Sequence, residues 1–159
     1  MTTRTSMTAT HPEMYETLRE LHRRSEAAGL DPFLIELLKI RCSQINHCAF
    51  CIDMHTKDAR ALGETEQRIY ALSAWRETPF FTERERAALA LAESVTVLTD
   101  GFVPDEVYDA AAAVLEPVEV SAVVWATVVI NAFNRLAVTG RTVPGSYVSQ
   151  RKPLDRATA

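Results

Sequence analysis

The chain has 159 residues, 47% hydrophobic and 24% charged, the profile of one ordinary globular domain with a core of its own. At this length roughly 70% of the unfolded chain's surface can be buried, and three cysteines are an odd number for a disulfide framework. Seventeen basic against 21 acidic residues give a net charge of -4, which offers no positive field to a polyanion, so nucleic-acid binding is not expected.

The N-terminal stretch, residues 1–11, carries Arg4 but no apolar run behind it, and reads as a flexible leader to the fold rather than a secretory signal. Met14, Leu18 and Leu21 then recur at helical spacing in a first helix, about 12 to 28, with Gly29 as its stop. Asp31 and Pro32 form an N-cap followed by a first-turn proline, opening a second helix through Phe33, Leu34, Leu37, Leu38 and Ile40. A break near Asn46 leads to a third helix that ends at Leu62, before Gly63.

Thr65 caps a fourth helix, about 66 to 76, and Thr82 with Glu85 makes the capping box of a fifth, about 83 to 98. Pro104, Asp105 and Glu106 open a sixth, through about Leu115. From Pro117 to Val138 the many valines favour a strand locally, yet length and the Ala, Asn and Arg content favour a buried helix, which is the reading adopted. Glu119, Asn131, Asn134 and Arg135 interrupt this stretch too often for a lipid-exposed span, so no membrane association is expected. Residues 141–159, with Pro144, Gly145 and Pro153, read as an irregular tail or arm. The expected fold is all-α: a single helical domain over 12–140, of about six to seven helices.

Chemistry concentrates between Glu36 and His55. On a helix Cys48 adjoins Cys51, Cys51 adjoins His55, and all three share one face. Two thiols and a base suit thiol redox work: one thiolate attacks, the other closes a disulfide, and the imidazole moves protons. Cys48 also stands near a helix start, where unpaired N–H groups favour a thiolate. The same residues admit two other readings. Cys48, Cys51 and His55, with Glu36 or Asp53, could bind a metal ion or register oxidation without turnover, although no second Cys or His pair follows at the usual spacing. The cluster could also belong to a structural oligomer with little activity.

Other polar residues have plainer readings. Glu36 in FLIELLKI is by itself better read as solvated; Cys42 is a small core residue; His47 borders the turn, or adds positive charge near Cys48; Asp53 and Lys57 form a helical pair. His11 and His22 are assigned no role. Trp75, Trp125 and Phe133 read as core or subunit interface, and Asn131, Asn134 and Arg135 as bridges to another helix or subunit.

The run from Leu37 to His55, LLKIRCSQINHCAFCIDMH, resembles the core motif of the alkylhydroperoxidase D-like (AhpD-like) branch of the carboxymuconolactone decarboxylase family, and the likeness continues from Lys57 to Glu93. This resemblance implies an all-helical fold, assembly into trimers or hexamers, and reduction of small hydroperoxides. It implies Cys51 as the attacking thiol, Cys48 as the resolving and more exposed thiol, and His55 with Glu36 as the relay that deprotonates Cys51. No tightly bound cofactor is implied; a dihydrolipoyl donor on a lipoylated protein, or another dithiol, is the implied reductant. Phe50 departs from the pattern, because the peroxidase members carry a second His between the cysteines. The match makes Glu36 a buried relay residue, and Glu36 and His55 are expected to control reactivity rather than folding. With cytoplasmic location as the default for such a chain, its cysteines are expected to be reduced at rest.

Overall fold

The computed structural model describes residues 4–155, in which the regular elements are eight α-helices and one 3-10 helix. The α-helices are α1 (Met7–Thr10), α2 (Pro12–Glu26), α3 (Pro32–Ile45), α4 (Ala49–Leu62), α5 (Glu66–Ala71), α6 (Glu83–Thr96), α7 (Asp105–Ala112) and α8 (Pro117–Gly140). The all-α expectation holds. The helix count exceeds the expected six to seven because residues 7–10, inside the stretch read as a flexible leader, form a helical turn capped by Ser6.

Local chemistry explains most boundaries. Asp31 Oδ1 accepts the Phe33 N–H at 2.7 Å, and Pro32 sits in the first turn where its missing N–H is not needed. Thr82 and Glu85 make both bonds of the capping box. Gly63 ends α4 with φ +114, a left-handed conformation that disfavours any Cβ-bearing residue. The expected helix at 66–76 is two pieces: α5 passes into a 3-10 helix, Leu72–Glu77, at whose centre Ala74 is non-helical (φ -121, ψ 33). Trp75 is buried there and its Nε1 donates to Glu93 at 2.9 Å.

Two helices form the centre. Nearly every residue of α3 from Phe33 to Ser43 is buried, so its apolar run needs no amphipathic period. Helix α8 packs against α2, α3, α4 and α6 and buries Val120, Val123, Val129 and Ile130. It is long and apolar enough to cross a membrane by length and composition alone, yet it packs against those four helices of this bundle and buries nine residues, while Val118, Trp125, Val128 and Val138 stay exposed.

The asparagines of α8 bridge helices within the chain. Asn46 Nδ2 donates to the side-chain oxygens of Asn131 and Asn134, each at 2.9 Å. Asn134 donates in turn to Ser43 Oγ, and Asn131 to Thr96 Oγ1, both at 3.0 Å. Buried amides of this kind hold one register, since a slip would leave each polar group unpaired. They pin the C-terminal end of α3 to α8 immediately before the turn that carries Cys48.

Candidate active site

That turn is tight. Asn46 closes α3, His47 adopts φ +54 and is exposed, and Cys48 becomes the N-cap of α4. Cys48 Sγ accepts the Cys51 N–H at 3.3 Å, so the thiol meets the orphan amides of a helix start as its position suggests. The two cysteines are joined in a disulfide, leaving Cys42 as the free thiol. Cys42 is fully buried with Thr96 Oγ1 donating to its sulfur, and burial pushes its pKa up to about 11, an inert core residue as expected.

The expectation that Cys48 is the more exposed thiol fails. Both sulfur-bearing residues are 1% exposed, on a helix that packs against α3 and α8. What separates them is the cavity. Cys51 and His55 line a cavity of about 640 Å³ walled by α1, α2, α4, α8 and residues of the C-terminal arm, and Cys48 is not among its lining residues.

His55 and Glu36 meet across α4 and α3. His55 Nδ1 lies 2.8 Å from Glu36 Oε2, and since a carboxylate only accepts, Nδ1 carries the proton and Nε2 is left as the base. Glu36 is buried, not solvated, and its second oxygen is occupied too: Oε1 accepts from Lys39 Nζ at 3.1 Å and Arg151 Nη2 at 3.3 Å. Burial is the largest single influence on this carboxyl and would raise its pKa, but His55 and Lys39 together outweigh it and hold it down to about 2. Glu36 is therefore an anion at any ordinary pH.

The network continues outward. Lys39, itself buried, also donates to Glu26 Oε1 at 2.6 Å, and Arg151 pairs with that same oxygen. Two carboxylates thus share two cations. With so many partners, Glu36 also takes part in the buried electrostatics of the fold, so its removal is expected to affect stability.

Residues that the sequence reading passed over complete the site. His22, assigned no role, lines the cavity edge-to-face with Phe133 at 5.7 Å. Burial, followed by the Lys39 charge, pushes its pKa down to about 4, so it stays neutral near pH 7. The described part of the arm, residues 141–155, has no helix or strand and is docked on the domain. Tyr147 Oη and Ser149 Oγ both donate to Asp58 Oδ1, Gly145 N–H donates to Asp53, and Leu154 N–H donates to the Leu62 carbonyl. Asp53 pairs with Lys57 at 2.9 Å on the outer face and is remote from metal-type chemistry. The metal reading shifts instead to Glu36, His55 and Asp58, whose donor atoms lie within 4.8 Å of one another. Glu36 already holds the cations of Lys39 and Arg151, which oppose a further positive charge, and Asp58 Oδ1 is taken by the Tyr147 and Ser149 hydroxyls.

Residues 12–94 match the profile of the carboxymuconolactone decarboxylase family. The uncharacterized protein YdfG of Bacillus subtilis is 40% identical over 138 residues, spanning 87% of this chain and 94% of its own length. A solved protein of unknown function from Agrobacterium tumefaciens, described as a candidate antioxidant defence protein AhpD, is 36% identical with a TM-score of 0.87, over 92% of this chain and all of its own. A debrominase shares the fold at 16% identity, with a TM-score of 0.79 over 87% of this chain and 75% of its own, so fold similarity alone names no reaction. By the extent of the profile match and the identity to full-length relatives, the chain belongs to the carboxymuconolactone decarboxylase family, in its AhpD-like branch.

Proposed function

We propose that the protein is a thiol-dependent peroxidase that reduces hydroperoxides through Cys51, with Cys48 as resolving thiol. The observation that carries this is the joining of Cys48 to Cys51 at the start of α4, with Cys51 and His55 both open to one cavity and His55 anchored by an anionic Glu36. In the reduced protein His55 Nε2 takes the Cys51 proton, and the Glu36 anion stabilises the imidazolium that results. The Cys51 thiolate attacks the peroxide, becomes a sulfenic acid, and is captured by Cys48 as a disulfide. A dithiol donor such as a lipoylated protein then restores both thiols.

The protein acts as a homo-oligomer, a trimer or hexamer, in this proposal. Support comes from α8, where Val118, Trp125 and Val128 stand exposed at helical spacing (64, 50 and 44%).

Peroxide consumption measured with dihydrolipoamide, thioredoxin and glutathione offered separately tests the reading. Turnover is expected with dihydrolipoamide, no peroxide reduction in Cys51→Ser, and a single stoichiometric oxidation in Cys48→Ser. A wild-type protein whose thiols survive hydroperoxide unchanged would overturn the proposal, and the reverse pattern in the two variants would exchange the roles.

A further inference from the structure

Hydrogen peroxide would occupy a small fraction of the cavity beside Cys51, whose volume of about 640 Å³ is in the range that encloses an organic ligand of many atoms. The lining is divided by chemistry. Its apolar members include Phe50 and Met54, on α4 with Cys51, and Ile130 and Phe133 on α8. Its charged members are Arg4, Arg19 and Lys39, and no Asp or Glu is among the lining residues. Lys39 is matched internally by Glu26 and Glu36. Arg4 donates to a neutral acceptor, the Thr139 carbonyl, and Arg19 has only a solvent-exposed pair with Glu16, which screens it weakly. A chain of net charge -4 therefore keeps on this cavity two arginines that are matched only by a neutral carbonyl and an exposed ion pair among the described residues.

Resting on the peroxidase reading, we infer that the substrate is an amphipathic organic hydroperoxide with an apolar body and a carboxylate at the end remote from the –OOH. The body lies along Phe50, Met54, Ile130 and Phe133, the carboxylate faces Arg4 and Arg19, and the terminal peroxide oxygen meets Cys51. The Cys51 thiolate gives an electron pair to that oxygen, the O–O bond breaks, and the departing alkoxide takes the proton held on His55, leaving as a hydroxy-carboxylate. The Cys48 thiol then attacks the sulfenic sulfur, the S–S bond forms, and water leaves with the Cys48 proton. Two thiols are oxidised and one hydroperoxide is reduced by two electrons.

Cumene hydroperoxide bearing a para-carboxylate, compared with its methyl ester, tests the assignment by kcat/KM with dihydrolipoamide. Wild-type protein at low ionic strength is expected to prefer the acid by about tenfold, chiefly through KM, with the preference shrinking as salt screens the arginines. In the Arg4→Gln/Arg19→Gln double variant the acid-to-ester ratio is expected to approach one, and because both values come from the same protein, general damage cancels. Equal rates for acid and ester in the wild type, or a preference that survives in the double variant, would overturn the inference while leaving the peroxidase reading intact. Calorimetry of para-isopropylbenzoate and its methyl ester binding to the disulfide form reads the same preference without turnover. Selective binding of the acid that disappears in the double variant supports the anion site even if no hydroperoxide oxidises Cys51, a result that would sink the reaction alone.

Discussion

Replacing Glu36 by Gln leaves shape nearly unchanged and removes one buried negative charge from among His55, Lys39 and Arg151. The depressed pKa gives the magnitude. Depression means the carboxylate's stabilising contribution is fully present above the ordinary 4.5 and is lost as pH falls through about 2. At about 1.36 kcal/mol per pH unit, the interval from 4.5 to about 2 amounts to about 3 kcal/mol at pH 7. Breaking a buried ion pair by removing one partner costs about 3–5 kcal/mol, in agreement. For a chain of this length that lowers Tm by roughly 6–15 °C. Urea unfolding of wild type and Glu36→Gln at pH 7, 5, 4 and 3 checks the claim. The difference should be constant from pH 7 to 5 and shrink toward pH 3, because below 4.5 the unfolded wild-type chain takes up a proton on Glu36 that the folded protein does not. A difference below ~0.5 kcal/mol that stays flat with pH would refute the view that the cations hold this group as an anion.

Iodoacetamide at pH 8 should label Cys51, which opens to the cavity, in the reduced native protein and leave Cys42 untouched until denaturant is added, as peptide mass spectrometry would report. Arg151→Gln removes a cation that lowers the Glu26 pKa, so the midpoint of acid unfolding, followed by circular dichroism, should move to higher pH. Asn134→Ala strips Ser43 and Asn46 of a buried partner and should cost about 2–3 kcal/mol in denaturant unfolding, with faster exchange of amides in the turn before Cys48. Sedimentation in reducing buffer should give a multiple of 17.7 kDa, and Trp125→Glu should lower that multiple.

The helices were readable because their signals are local: Asp31 with Pro32, Thr82 with Glu85, and Gly63 each act within a few residues. The dithiol and His55 were readable for the same reason, lying within the N-cap and first two turns of α4. What could not be read was contact across distance. Arg151 reaches Glu36 over 115 residues and Tyr147 reaches Asp58 over 89, through a segment with no periodicity to declare which face it meets. His22 follows the same logic; helical spacing gives its place on α2 but not that α2 lies against α8, and only that packing brings the ring to Phe133. The relative exposure of Cys48 was misjudged because burial at a helix start depends on which helices cover it.

The C-terminal arm lies wholly outside the residues that define the family, 12–94, yet it supplies one of the two cations balancing Glu26 and Glu36. The disulfide-forming cysteines and one cation beside Glu36 are thus encoded in separable parts of the chain. An arm of different sequence could reset the acidity around Glu36 while every residue from Leu37 to His55 stayed as it is. On the proposed mechanism, swapping or shortening arms would be a dial on reactivity that leaves the cysteines untouched.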